Sequence, residues 1–254
     1  MSFVCRAVAG LRRHPDTGSE LLTQELLGHE VLVRYTRVDF TRCSLEDGYK
    51  GWMSSSSLSA SAGYAATHIV KKRFAWIRGK ETGPFLVPMG SRVKVVSTGA
   101  RRNVVDLPDG RTGTMAVGAL EEIGSGRFSL LDLPGIIEEV KGTPYLWGGK
   151  STFGFDCSGL VQFVFGLAGR ELPRDSRDQA KSGRLLSGLD RLLPFDLIFF
   201  GGGDGIDHVA IHLGDLEILH ASGYVKVESL KDSSPVFRDD LRERYRFARR
   251  LPHV

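Results

Sequence analysis

Apolar and polar positions in the first half of the chain alternate in short runs. Val31-x-Val33-x-Tyr35 and Val93-x-Val95 follow this period of two. Each is followed by an Asp-Gly turn, a second run and a Ser- or Gly-rich close, a pattern of short strands joined by tight turns. Later the period changes. Leu160, Phe163, Val164, Leu167 and Ala168 fall on one helical stripe, which predicts a buried helix starting near Cys157, with Asp156 as its N-cap and Gly169 as its stop. Asp132-Leu133-Pro134 opens an earlier helical stretch over residues 135–141. Alternation returns over residues 207–213, and residues 216–220 form a second strand after Gly214-Asp215.

The first half also repeats itself. Shifted by 62 positions, residues 28–58 lie on 90–120 without a gap, and Gly28, Val31, Val33, Thr36, Leu45, Asp47, Gly48, Gly51, Met53 and Leu58 meet identical residues. Ten identities against about two by chance mark a tandem duplication. Two small all-β barrels of about 60 residues each are expected. Gly124-Ser125-Gly126 reads as a hinge. The expected domains are residues 1–62, 66–124 and 128–254.

Composition narrows the function. A chain of 254 residues is large enough for two or three compact units. Its 34 basic and 30 acidic side chains give a net charge of +4, too small and too dispersed to expect a nucleic-acid partner. No apolar stretch reaches the roughly 18 residues that span a bilayer, so no membrane insertion is expected. The N-terminal apolar run is short, with arginines on the wrong side for a signal peptide, so a cytoplasmic location is expected. Cys5, Cys43 and Cys157 lack metal-type spacing, and neither a metal nor another cofactor is expected. A monomer is expected.

Cys157 differs from the other two cysteines. Its place on the first turn of a helix, between Asp156 and Ser158, sets the thiol among unpaired backbone N–H groups that favour a thiolate. A nucleophilic thiol needs a base, and the base an orienting partner. His208 and His220 lie twelve residues apart on the two successive strands. A three- or five-residue turn puts both imidazoles on one face, whereas a two-residue turn separates them. His212 shares the face of His208 and reads as a satisfied histidine. His14, His29, His68 and His253 have no companions.

These blocks resemble the NlpC-type cell-wall cysteine peptidases. Tyr145-Leu146-Trp147-Gly148-Gly149, Asp156-Cys157-Ser158-Gly159-Leu160, Pro173-Arg174-Asp175-Ser176, His208-Val209-Ala210-Ile211 and His220-Ala221-Ser222 are similar to the family's motifs. The first half resembles bacterial SH3-like modules, through Leu26-Leu27-Gly28 and Asp47-Gly48-Tyr49-Lys50-Gly51-Trp52. The second copy is the weaker match, with Thr114 where tryptophan is expected. The resemblance implies an α+β papain-like catalytic domain preceded by two small all-β SH3-like barrels. It implies Cys157 as nucleophile, His208 as base and His220 as orienter. The backbone N–H of Cys157 and the Tyr145 hydroxyl are then the oxyanion donors. Phe195 departs from the family, which usually has glycine there.

The arrangement further resembles the subgroup that cleaves the γ-D-glutamyl–diamino acid bond of murein peptides. There Asp156, Ser158, Asp175 and Ser176 are implied to read a free N-terminal L-alanine, with Tyr64 or Tyr49 and Glu46 or Asp47 closing the pocket. A role in recycling released murein peptides follows. The alternatives are an extracytoplasmic wall-remodelling endopeptidase and a non-catalytic wall-binding protein. An acyltransferase of the lecithin–retinol type is disfavoured, because its histidine precedes its cysteine.

Overall fold

The computed structural model describes residues 1–79, 83–125, 132–203 and 205–252. Gly126 of the expected hinge, the expected domain start at residue 128, and His253 lie outside the described residues. By its internal contacts the chain forms two compact units, residues 1–127 with 150–153 and residues 128–149 with 154–254.

The first unit is all β. Its strands are β1 (Ser2–Val4), β2 (Val8–Arg12), β3 (Leu21–Leu26), β4 (Glu30–Arg37), β5 (Phe40–Ser44), β6 (Lys50–Ser54) and β7 (Leu58–Ala60), then β8 (His68–Val70), β9 (Phe74–Gly79), β10 (Gly83–Pro88), β11 (Arg92–Ser97), β12 (Arg102–Asp106), β13 (Thr112–Ala116) and β14 (Leu120–Glu122). They form two seven-stranded sheets ordered β3-β2-β6-β5-β4-β1-β7 and β10-β9-β13-β12-β11-β8-β14. The second order is the first with every label advanced by seven.

The repeated residues are those that this topology constrains. Val31, Leu45 and Met53 are buried in one core, and Val93, Leu107 and Met115 occupy the matching places in the other. Gly48 and Gly110 both turn with φ near +80°, a region costly for any side chain. In front of each, an aspartate accepts from the chain two residues on, Asp47 from the Tyr49 N–H at 2.9 Å and Asp109 from the Arg111 N–H at 3.3 Å.

Within the same unit β15 (Lys150–Ser151) lies against β3. Lys150 Nζ donates to Glu25 Oε2 at 3.1 Å, its backbone N–H donates to Gln24 Oε1 at 3.0 Å, and Ser151 Oγ donates to the same oxygen at 2.9 Å. Glu25 Oε1 also lies 3.3 Å from His29 Nδ1, so a histidine without sequence companions has a structural polar partner. Burial lowers His29 to about 4.

The second unit carries α1 (Leu133–Val140), β16 (Gly154–Phe155), α2 (Cys157–Leu167), α3 (Ser176–Gln179), β17 (Arg184–Leu186), β18 (Leu197–Phe200), β19 (His208–Gly214), β20 (Glu217–Ser222), β21 (Tyr224–Ser229), α4 (Asp239–Glu243) and β22 (Tyr245–Arg250). Six strands make an antiparallel sheet in the order β17-β22-β18-β19-β20-β21. Helix α2 packs against β19 and β20. It is buried from Cys157 through Phe165, more completely than one apolar stripe implies. Among the described residues no helix is long and apolar enough to cross a membrane.

Phe195, two residues before β18, adopts φ +75°. That conformation costs a non-glycine residue about 1–2 kcal/mol. Its neighbours hold it there. The Phe195 N–H donates to the His212 carbonyl at 2.8 Å, and the buried Asp196 carboxylate accepts the Leu193 N–H at 2.8 Å and both Arg250 donors at 2.8 and 2.7 Å. Phe195→Gly exchanges side-chain packing for relief of this strain and is expected within about 1 kcal/mol of the parent protein. Phe195→Val adds a β-branch to the same backbone and is expected to lose at least about 1 kcal/mol more. Denaturant titration of both variants checks the difference.

Candidate active site

Asp156 is the residue on which the site is assembled. It is buried, and its Oδ1 caps α2 by accepting the Gly159 N–H at 2.6 Å. The same oxygen accepts from Ser158 Oγ at 3.3 Å and Arg174 Nη1 at 3.0 Å. Oδ2 accepts from the Gly148 N–H at 2.9 Å and Arg174 Nη2 at 2.5 Å. The forked guanidinium thus neutralises the carboxylate inside the protein. Sequence reading placed Arg174 in a motif but gave it no role. The charge proposed for an incoming ammonium is already paired with it.

Two glycines of the motifs have a packing reason. A Cβ on Gly159 would stand 2.1 Å from the Gly149 carbonyl oxygen, and one on Gly149 would stand 2.4 Å from that of Gly154. The Trp147-Gly148-Gly149 segment and the first turn of α2 therefore lie backbone against backbone.

Cys157 is the first residue of α2 and is buried. Burial raises its thiol to about 11, and the Asp156 charge adds to this. Hydrogen bonds with the backbone at Val209 and Ser158, and the Arg174 charge, act the other way. The helix-start donors thus push as expected, but desolvation outweighs them. The bond to Val209 sets the sulfur beside the backbone of β19, at the residue that follows His208 in the chain. Burial, then the charges of Cys157 and Asp156, raise the Tyr145 hydroxyl to about 12. It therefore stays a proton donor, and the Tyr145 N–H is held by the Gly223 carbonyl at 2.9 Å.

His208 and His220 meet directly, with Nε2 of the first 2.9 Å from Nδ1 of the second and rings edge to face. The turn that achieves this differs from both expected lengths. Only Asp215 and Leu216, with φ of 43° and 62°, separate Gly214 from Glu217. The register shifts by one residue between His212 and Gly214, so that Ile211 pairs with Leu219 and His212 with Ile218. A bulge restores the even register that a two-residue turn alone would lose. Burial, then the charges of His220, Arg244 and Arg238, lower His208 to about 3. His212 is buried and bonded through Nδ1 to the Leu193 carbonyl at 2.8 Å.

Behind His220 stands Glu228, which the sequence reading missed. Its Oε2 lies 2.7 Å from His220 Nε2 and also receives Arg238 Nη1, while Oε1 lies 3.3 Å from Lys226 Nζ. Arg238 is itself held by Asp240 at 2.7 and 2.8 Å. Alternation along β21 puts Glu228 on the face of His220, since His220 pairs with Lys226 and Ile218 with Glu228. That alternation was the available signal.

Of the other expected contacts, Asp175 and Ser176 are half-buried at the start of α3. Tyr64 belongs to the first unit, where its hydroxyl donates to the Arg92 carbonyl at 3.3 Å and its ring meets Phe3 edge-on. There too Glu46 lies 3.7 Å from Arg92. Cys5 and Cys43 are buried free thiols. Among the described residues no group of three or more His, Cys, Asp or Glu could hold a metal ion.

The sequence profile of the NlpC/P60 family matches residues 142–246, and that of the bacterial dipeptidyl-peptidase SH3 domain matches residues 11–58. A γ-D-glutamyl-L-lysine dipeptidyl-peptidase of Bacillus subtilis is 30% identical over 252 residues, covering 89% of this chain and 80% of its own. The chain belongs to the NlpC/P60 family. A Bacillus cereus protein of the same name is 30% identical over 230 residues, covering 80% of this chain and 68% of its own. A crystal structure of an NlpC/P60 family protein from Bacillus cereus superposes with a TM-score of 0.85, at 24% identity and over 98% of this chain and 99% of that one. The second unit is thus an NlpC/P60 cell-wall peptidase domain of papain-like fold, and an SH3-like all-β region precedes it.

The Gly149–Gly159 approach gives a local test. Gly159→Ala is expected to destabilise the protein by about 1–3 kcal/mol and to lower activity, because neither carbonyl nor helix start can yield. Gly166, on the same helix, has open space at its Cβ. Gly166→Ala is expected to add about 0.5–1 kcal/mol with activity unchanged. Thermal unfolding and peptide turnover of the two variants check the opposite signs.

Proposed function

We propose that this protein is a cysteine endopeptidase that hydrolyses the γ-D-glutamyl–diamino acid bond of murein peptides bearing a free N-terminal L-alanine. The observation that carries the reaction class is the Cys157 thiol at the first turn of α2, beside the strand whose first imidazole, His208, is bonded to His220. Support for the bond comes from the names of the two Bacillus relatives. We take each seven-stranded sheet as an SH3-like barrel, with boundaries at residues 1–62 and 66–124.

Burial holds both reacting groups in their neutral forms at rest. Attack therefore begins with the proton moving from Cys157 Sγ to His208 as the sulfur bonds to the scissile carbonyl carbon. The Cys157 N–H and the Tyr145 hydroxyl stabilise the oxyanion. His208 then returns the proton to the leaving amine, and water releases the acyl group by the reverse sequence. The resting fields oppose the ion pair, so the oxyanion donors must offset that cost in the transition state.

For the substrate amine, Ser158, Asp175 and Ser176 are the groups we assign, with Asp156 supplying geometry through its Arg174 pair. A peptidase that requires this amine acts on released peptides, since muramic acid blocks it in intact wall. We place it accordingly in murein peptide recycling in the cytoplasm.

Two measurements test the reading. Cys157→Ala is expected to abolish hydrolysis of L-Ala-γ-D-Glu-diaminopimelate with an unchanged circular-dichroism spectrum, whereas Cys5→Ala keeps turnover. Acetylating the L-alanine amine is expected to lower kcat/KM by at least about tenfold, one decade corresponding to about 1.4 kcal/mol. Equal cleavage of free and acetylated peptides would reject the recycling assignment.

A further inference from the structure

His220 is a hydrogen-bonding link with one partner on each ring nitrogen. Its Nδ1 faces His208 Nε2 at 2.9 Å, and its Nε2 faces Glu228 Oε2 at 2.7 Å. A neutral imidazole carries one proton, so only one of these nitrogens donates. We propose that Glu228 is a positioning residue of the peptidase site, which fixes the tautomers of both histidines and leaves Nδ1 of His208 as the base. This rests on the peptidase reading above, and the test below separates the two.

The direction of the chain follows from Glu228 being an ionised acceptor. Lys226 Nζ lies 3.3 Å from Oε1, and the Arg238 guanidinium donates to Oε2. Burial works against the charge, but the His220 bond and then the Arg238 guanidinium hold its carboxyl below the usual range. An ionised carboxylate only accepts, so His220 carries its proton on Nε2 and offers a lone pair at Nδ1. His208 must then donate from Nε2. Its remaining nitrogen, Nδ1, has the lone pair that receives the Cys157 proton. Reversing every bond would need a protonated Glu228, and Arg238 and Lys226 both oppose that.

Glu228 also provides the negative charge nearest the histidine pair on this side. When His208 accepts a proton, the imidazolium is bonded through His220 to that carboxylate. Without it, His220 would face Lys226 and Arg238 with no carboxylate bonded to it, and Asp240, already held by Arg238, would be the remaining negative charge. The competing explanation is that Glu228 only ties Arg238, and with it the segment leading into α4, to the sheet. Such a role would make no demand on which ring nitrogen of His208 carries hydrogen.

The test reads the tautomers directly. In full-length Cys157→Ala protein labelled with 15N-histidine, long-range 1H–15N spectra near neutral pH are expected to place the protons of His208 and His220 on Nε2. A proton on Nδ1 of either residue would overturn the proposal. In the enzyme with Cys157 intact, Glu228→Gln introduces an amide that can donate to His220 Nε2 and so permits the reversed chain. Its kcat on L-Ala-γ-D-Glu-Lys is expected to fall by about tenfold to a hundredfold, with KM changed by less than about twofold. An unchanged kcat in Glu228→Gln would also overturn it. If the parent enzyme itself fails to cleave the peptide, the proposed function falls, and the spectra still decide the tautomers.

Discussion

An ionised carboxylate taken out of water without a partner costs several kcal/mol, and the surroundings of Asp156 are arranged to avoid that cost. Arg174 provides a forked cation, and the N–H groups of Gly148 and Gly159 with the Ser158 hydroxyl complete the shell. These donors come from three different parts of the site. Gly148 lies in the segment after Tyr145, Gly159 in the first turn of α2, and Arg174 in the stretch before α3. Satisfying one buried charge therefore fixes the separation of the Tyr145 hydroxyl, the Cys157 sulfur and the start of α3. The glycines follow from the same constraint, because the segments must come within backbone contact for their N–H groups to reach one carboxylate.

The same low dielectric that makes the Asp156 pair strict also sets the state of Cys157 and His208. Desolvation moves the thiol up and the imidazole down, so burial stores the proton on sulfur. A thiolate is then needed only while a carbonyl is being attacked. Behind the imidazoles the charges follow the opposite rule. Lys226, Glu228, Arg238 and Asp240 form a chain of ion pairs of alternating sign, giving His220 a fixed acceptor. A neutral reacting pair backed by an ionised array keeps the proton path one-directional.

The parts of this site that could be read from the sequence are those that chemistry restricts to few residue types. A cysteine after an N-cap aspartate, with serine and then glycine following, leaves little choice, and two histidines on successive strands suggest a shared face. The turn between them could not be read, because a bulge at one residue reverses the parity that loop length predicts. Glu228 escaped because a strand alternating Lys226, Glu228 and apolar residues looks like a solvated face until the neighbouring strand places His220 on it. Arg174 escaped because a lone arginine carries no sign of burial, yet its side chain is only 1% exposed. Phe195 was legible as a departure, but only its φ of +75° shows why glycine suits that position.

The two copies in the first unit separate what a fold requires from what can change around it. Their sheets have the same order, and their matching cores and Asp-Gly turns use the same residues. Residues beside those cores have diverged. In the first copy Trp52 packs edge-on against Tyr35 with the Arg42 guanidinium over its ring. At the corresponding places the second copy has Thr114, Ser97 and Val104, and Thr114 instead takes a hydrogen bond from Arg102 and gives one to the Arg78 carbonyl. The second copy keeps the matching Val93, Leu107 and Met115 core without that cluster. It lacks the tryptophan by which such a module resembles its family. The SH3 profile matches residues 11–58, and the second sheet shares the strand order and core of the first. Resemblance in sequence here includes the Trp52 cluster, and resemblance in fold follows the shared core and the turns.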